Sequence, residues 1–308
     1  MAIKSNVSAV ERIRAANKTT YTSILVNVVL TILQIIFGLI THSYSLIADA
    51  LHSLSDLVSD FVVLVANRFS KQSPDANHPH GHFRFETIAV LVIAILLIGV
   101  GAQIIITSVG RIQSGVMVEI NAGLAFFIAL TAIVGKEGLY RYMAREAKRV
   151  DSTMIMANAV HARSDAISSV VVAVGLAANF FGVNYADLVA SLIVGSMIAF
   201  MGVKMGWNAL MDLADRSVDK ETLDKISNAI RGTPGLVDFH DLKTRKAGDF
   251  VLVEVHLDLP AAMTIAEGHD ISDEVEMRIK NAEPLVMSVL THFDPIHSPV
   301  VTEQAVNQ

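Results

Sequence analysis

His52 and Asp56 stand four residues apart, as do His161 and Asp165, and each pair lies inside a largely apolar run. Residues at that spacing share one face of a helix, so each run would present an imidazole and a carboxylate together. Two such helices side by side offer two nitrogens and two oxygens, a tetrahedral set for Zn2+ with no ligand left over. The plainer reading of polar residues in membrane helices is hydrogen bonding between helices. One His would leave that reading ahead. Two ionisable groups in each of two spans are expensive in lipid and mark ion pathways. Asp49 and Asp60 extend the same face one turn to either side of the first pair. Asp49 suits either orienting His52 or acting as a first ligand on the way in. Arg163 needs a carboxylate partner at this depth, and the sequence does not name it.

The elements that must carry these residues follow from composition. Of 308 residues 52% are hydrophobic and 18% charged, against about 25% charged in an average soluble domain. Apolar runs cover residues 21–41, 45–67, 87–108, 120–143, 154–181 and 185–209, each near the length of about 20 residues that crosses a bilayer. Runs this long are helices, because lipid offers no partner for backbone polar groups. Lys4, Arg12, Arg14 and Lys18 precede the first run, Arg68 and Lys71 follow the second, and Arg141, Arg145, Lys148 and Arg149 follow the fourth. This bias places both termini in the cytoplasm. The absence of cysteine removes disulfides and thiolate ligands, leaving His and carboxylates to hold metal. A net charge of −6 gives no reason to expect nucleic acid. The polar N-terminus shows no signal-peptide pattern.

At residues 211–216 the composition turns polar. A helix is expected over 220–231, strands over 237–246 and 250–259 around a Lys246-Ala247-Gly248-Asp249 turn, a helix over 265–281 and a strand over 285–293. The order αββαβ suits a three-stranded sheet backed by two helices. The expected class is an α-helical membrane protein with six transmembrane helices and a C-terminal cytoplasmic α+β domain. Its parts are a cytoplasmic N-terminal segment 1–20, a six-helix membrane domain 21–209, a cytoplasmic metal-binding domain 210–296 and a flexible tail 297–308.

The loop after the second run reads Asp75-Ala76-Asn77-His78-Pro79-His80-Gly81-His82. That is a metal-binding composition, although Pro79 and Gly81 also suit a solvated turn. In the polar domain His256 alternates with Glu254 and Asp258 opposite Val253 and Val255, and His292 shares a strand face with Asp294. Scattered surface His is the competing explanation.

The stretch Ser45-Leu46-Ile47-Ala48-Asp49-Ala50-Leu51-His52-Ser53-Leu54-Ser55-Asp56 together with His161-Ala162-Arg163-Ser164-Asp165 resembles the cation diffusion facilitators. The resemblance runs from Tyr21 to about Pro295. It implies a homodimeric metal/proton antiporter of the bacterial inner membrane, with a metallochaperone-like, ferredoxin-like cytoplasmic domain, and not an enzyme. The transport site would be His52, Asp56, His161 and Asp165, and an interfacial site would use Asp75, His78 and His82. A cytoplasmic binuclear site would use His240, His256, His269, His292 and Asp294, with Zn2+ as a regulatory or structural ion. Arg84 and Asp215 would match a charge interlock between dimer partners. Two imidazoles suit Zn2+, with Cd2+, Co2+ and Fe2+ as further substrates, whereas Mn2+ favours oxygen. An iron- or manganese-selective exporter, or a metal-sensing membrane protein with little transport, stays as the alternative. Four protein ligands leave no position for an activated water, which argues against a metallohydrolase. The roles of His80, Asp60 and Arg163 stay open.

Overall fold

The computed structural model describes residues 9–70, 72–115 and 119–296. The expected tail, 297–308, and the first eight residues lie outside them. Six long helices come first: α1 (Ala9–Thr41), α2 (Tyr44–Ser70), α3 (Arg84–Ser114), α4 (Ala122–Val150), α5 (Thr153–Phe180) and α6 (Ala186–Leu213). Then follow α7 (Lys220–Arg231), β1 (Asp238–Ala247), β2 (Phe250–Pro260), α8 (Ile265–Ala282) and β3 (Val286–Ile296).

Five of the six long helices are apolar enough to cross a bilayer by length and composition, and α2 is not among them. Six such spans are expected from the sequence, and α2 alone falls short of this measure of length and composition. The reason is chemical: α2 carries Asp49, His52, Asp56, Asp60 and Arg68, the residues that make it interesting. The helices are also longer than their apolar stretches. α1 is already helical at Ala9, the first described residue, and its early part is packed: Ala15 lies against Leu139, Met143 and Val150, and Thr19 is buried. α4 continues to Val150 and takes Lys148 and Arg149 into its last turn, where cations oppose the negative end of the helix dipole. Asp151 closes it in the left-handed region (φ 52°). Ser152 then caps α5 by accepting from the Ile155 N–H. Two residues thus turn the chain back on itself.

The chain divides into two compact units, residues 1–64 with 92–206, and residues 65–91 with 207–308. In the first, Leu46, Leu97, Ile104, Val172, Leu176 and Ile198 belong to one buried cluster. Small residues let backbones approach, as expected where lipid supplies no hydrophobic drive between helices. A Cβ on Gly101 of α3 would sit 2.6 Å from the Ala199 nitrogen of α6, and one on Gly175 of α5 would sit 2.4 Å from the Ala190 Cβ. Asp187, in the first turn of α6 and fully buried, caps the start of α2. It accepts from Ser43 Oγ (2.7 Å), the Tyr44 N–H (2.8 Å), Ser45 Oγ (2.5 Å) and the Ser45 N–H (3.3 Å). A carboxylate there satisfies donors that the helix cannot and meets its positive end.

In the second unit the sheet order is β1-β2-β3, β1 running antiparallel and β3 parallel to β2. The expected αββαβ order is present, with the turn at Gly248-Asp249, where Gly248 adopts φ +60° as a two-residue hairpin demands. Ile226, Ile230, Val255, Leu257, Val275 and Ile279 build its core. Thr264 and Glu267 form a capping box at the start of α8. β3 extends past the expected residue 293, because pairing with β2 continues to Pro260 opposite Ile296.

Candidate metal centre

α2 and α5 meet through their polar faces. One ligand atom from each of His52, Asp56 and Asp165 lies within 4.8 Å of the others, close enough for one cation to touch all three. His52 Nε2 is 3.9 Å from Asp56 Oδ2. Its Nδ1 is buried with no hydrogen-bond partner, a rarity for a buried polar atom and in keeping with a ring held for a cation. His161 does not join the three. It stays 3.9 Å from Asp165, with its side chain 67% exposed. The helix explains the offset: at 3.6 residues per turn, position i+4 leads i by roughly 40°, so a pair can split between the inner face and its margin.

Asp49, one turn before His52, is engaged elsewhere. It accepts from Gln34 Nε2 of α1 (2.5 Å) and from Ser168 Oγ and Ser169 Oγ of α5 (2.6 Å each). Two helices, α1 and α5, are thereby tied to one carboxylate of α2. Sequence reasoning missed the cation beside it. Lys136 of α4 brings its ammonium to 3.8 Å from Asp49 Oδ1, and the signal was available as a lone lysine in the run 120–143. Arg163 finds the carboxylate it needed in Glu137, 3.7 Å away, and lies over the Tyr140 ring at 4.6 Å. The side chain of Asp60 lies outside the described residues.

The loop cluster is also assembled. Asp75 Oδ1 accepts from the His78 N–H (2.7 Å) and the Asn77 N–H (2.8 Å). His78 Nδ1 and His82 Nε2 each lie 3.4 Å from its carboxylate, and the three offer ligand atoms within 4.8 Å. The backbone bond from His78, then that from Asn77 and the two neighbouring imidazoles, hold the Asp75 carboxyl below the usual carboxylate range. His80 is exposed and stands outside this group.

In the sheet, register does what sequence spacing could not show. His240, His256 and His292 are opposite one another across the three strands, and Asp238, Asp258 and Asp294 form the next row on that face. His240, His256 and Asp294 offer atoms within 4.8 Å, with His256 Nδ1 2.8 Å from Asp294 Oδ2. The His292 ring lies 4.6 Å from that of His256, and its Nε2 is 3.5 Å from Asp294. His269, on α8, pairs with Asp273 at 3.9 Å and is not in the cluster. Arg84 and Asp215 form an ion pair within the one chain, with Arg245 3.9 Å from the same carboxylate.

A bundle of long apolar helices that buries imidazole and carboxylate on facing elements defines a cation-handling integral membrane protein. Residues 20–214 match the model for the cation efflux transmembrane domain, and residues 218–296 match that for the cation efflux protein cytoplasmic domain. The chain belongs to the cation efflux family, the cation diffusion facilitators, and its activity is the efflux of divalent metal cations. It is 34% identical to "Uncharacterized transporter MJ0449" of Methanocaldococcus jannaschii, over 88% of this chain and 95% of that protein. It is 32% identical to "Manganese efflux system protein MneS" of Bacillus subtilis (89% and 93%) and 27% identical to "Cation-efflux pump FieF" of Yersinia enterocolitica (87% and 88%).

Proposed function

We propose that the chain exports Zn2+ from the cytoplasm in exchange for protons, as a homodimer with six membrane-crossing helices and both termini cytoplasmic. The proposed activity is transport alone, with no bond made or broken. The observation that carries this reading is the convergence of His52, Asp56 and Asp165 from α2 and α5. His161, already 3.9 Å from Asp165, completes a tetrahedral set by a side-chain rotation. Two carboxylates and two neutral imidazoles make the loaded site formally neutral, which lowers the cost of carrying a divalent ion at bilayer depth. Metal needs the deprotonated ring, so binding metal and binding protons compete. Rocking of the bundle about a fixed site would expose it to each side in turn. Protons from outside would then displace the ion outward. α2 crosses the bilayer in this scheme because Asp49, His52 and Asp56 are turned toward the bundle and away from lipid.

In proteoliposomes with an imposed pH gradient, Asp56→Ala and Asp165→Ala are expected to lose Zn2+ uptake. Full transport by both variants would eliminate this site as the pathway. The loop cluster and the sheet cluster are proposed as further Zn2+ sites that stabilise the dimer.

A second reading, Mn2+ as the substrate, is favoured by the two oxygens and single nitrogen of the three-residue cluster and by the similarity to MneS. Competition between Zn2+ and Mn2+ in the same vesicles separates the two.

A further inference from the structure

The Lys136 side chain is 3% exposed and that of its neighbour Asp49 is not exposed at all. A cation buried so close to a cation site is unexpected unless it has a task, since a buried charge is costly even when paired. Its hydrogen bonds show where it acts. Lys136 Nζ donates to Ser53 Oγ (3.2 Å), the residue after His52, and so reaches α2. It also donates to the Asp165 carbonyl oxygen (3.2 Å) and to Ser169 Oγ (3.0 Å), and so reaches α5. One ammonium on α4 therefore bridges both ligand-bearing helices at the level of the ligands.

We infer that Lys136, with Asp49 as its counter-charge, is a positioning residue that fixes the separation of α2 and α5. It thereby sets the distance between the His52–Asp56 half of the site and Asp165, and with it metal affinity and size preference. Zn2+ needs its oxygen ligands at about 2.0–2.2 Å, so a brace that slackens by a few tenths of an ångström penalises Zn2+ more than a larger ion. The inference rests on the reading of His52, Asp56 and Asp165 as the transport site.

The test is the double variant Lys136→Met/Asp49→Asn in proteoliposomes. It removes both charges while leaving an amide for Ser168, Ser169 and Gln34. The expected result is a half-saturating Zn2+ concentration raised about tenfold or more, the usual effect of losing a ligand-orienting partner. Maximal rate should change little, as when ground-state binding alone is lost, and the ratio of Cd2+ to Zn2+ uptake should rise. A folded double variant with wild-type half-saturation and ratio would overturn the inference. Should it fail to fold, Ser53→Ala cuts one arm of the brace, and Ser169→Ala cuts another together with its hydrogen bond to Asp49; neither removes a charge. A smaller shift in the same direction is expected there, and unchanged values overturn the inference equally. Asp56→Ala and Asp165→Ala are run alongside. Full transport by both sinks the site itself, whereas their loss of transport with an unshifted brace variant sinks only the positioning role.

Discussion

Asp187 serves the site without touching it. Its four hydrogen bonds hold the first turn of α2, the helix that presents His52 and Asp56. In Asp187→Ala these buried donors lose their acceptor, at about 1–3 kcal/mol for each that stays unsatisfied. The melting temperature in detergent should fall by several degrees, and Asp187→Asn should recover part of it. An unchanged melting curve would show that water or another acceptor replaces the carboxylate. The pair Lys136–Asp49 obeys the same arithmetic more severely. Lys136→Met alone leaves a buried carboxylate without its cation, a change that costs about 3–5 kcal/mol in buried pairs, and it should be less stable than the double variant.

Helix packing in the first unit depends on the absence of side chains. Gly175 has no room for a Cβ beside Ala190 of α6, so Gly175→Val should force α5 from α6. Since α5 carries Asp165, transport should fall together with the yield of folded protein. Gly138 of α4, where an added Cβ meets nothing within 4 Å, is the control, and Gly138→Ala should be silent in both measurements. In the second unit, Leu257 on β2 is fully buried within the core beneath the histidine row. Leu257→Ala should cost about 2–5 kcal/mol, read as a lower urea midpoint. His256→Ala, on the opposite, half-buried face of the same strand, should cost far less.

Considered whole, the chain joins an apolar unit that buries Asp49, His52, Lys136 and Asp187 to a polar unit with a core and caps of its own. Acid should act on the second through those caps. Hydrogen bonds from Thr222 hold the Asp219 carboxyl below its ordinary range, and those from Thr264 do the same for Glu267. A depressed carboxyl contributes stability above its unfolded pKa, about 4, and that contribution disappears as pH falls through the lower folded value. The urea midpoint of the residue 215–296 domain should therefore drop below pH 4, less steeply in Asp219→Asn. Zn2+ bound by the His240, His256 and Asp294 cluster should stabilise the domain by about 2.7 kcal/mol at a hundredfold excess over Kd, read as a higher melting temperature. His256→Ala should abolish that rise.

Much of this was legible in one dimension. Helix existence follows from apolar length, the αββαβ order from alternation and turns, and the metal chemistry from His and Asp four apart, because each is a local property of a few neighbouring residues. What lay beyond reach was every distance between residues far apart in the chain. No spacing says that Lys136 meets Asp49, that Asp187 caps α2, or that His240, His256 and His292 fall into one row. Register, rotamer and helix contact decide these, and all three are set by packing. The divided fate of His52 and His161, identical in sequence pattern, makes the point most directly: a helix places both on a face, and only the neighbouring helices determine which one turns inward.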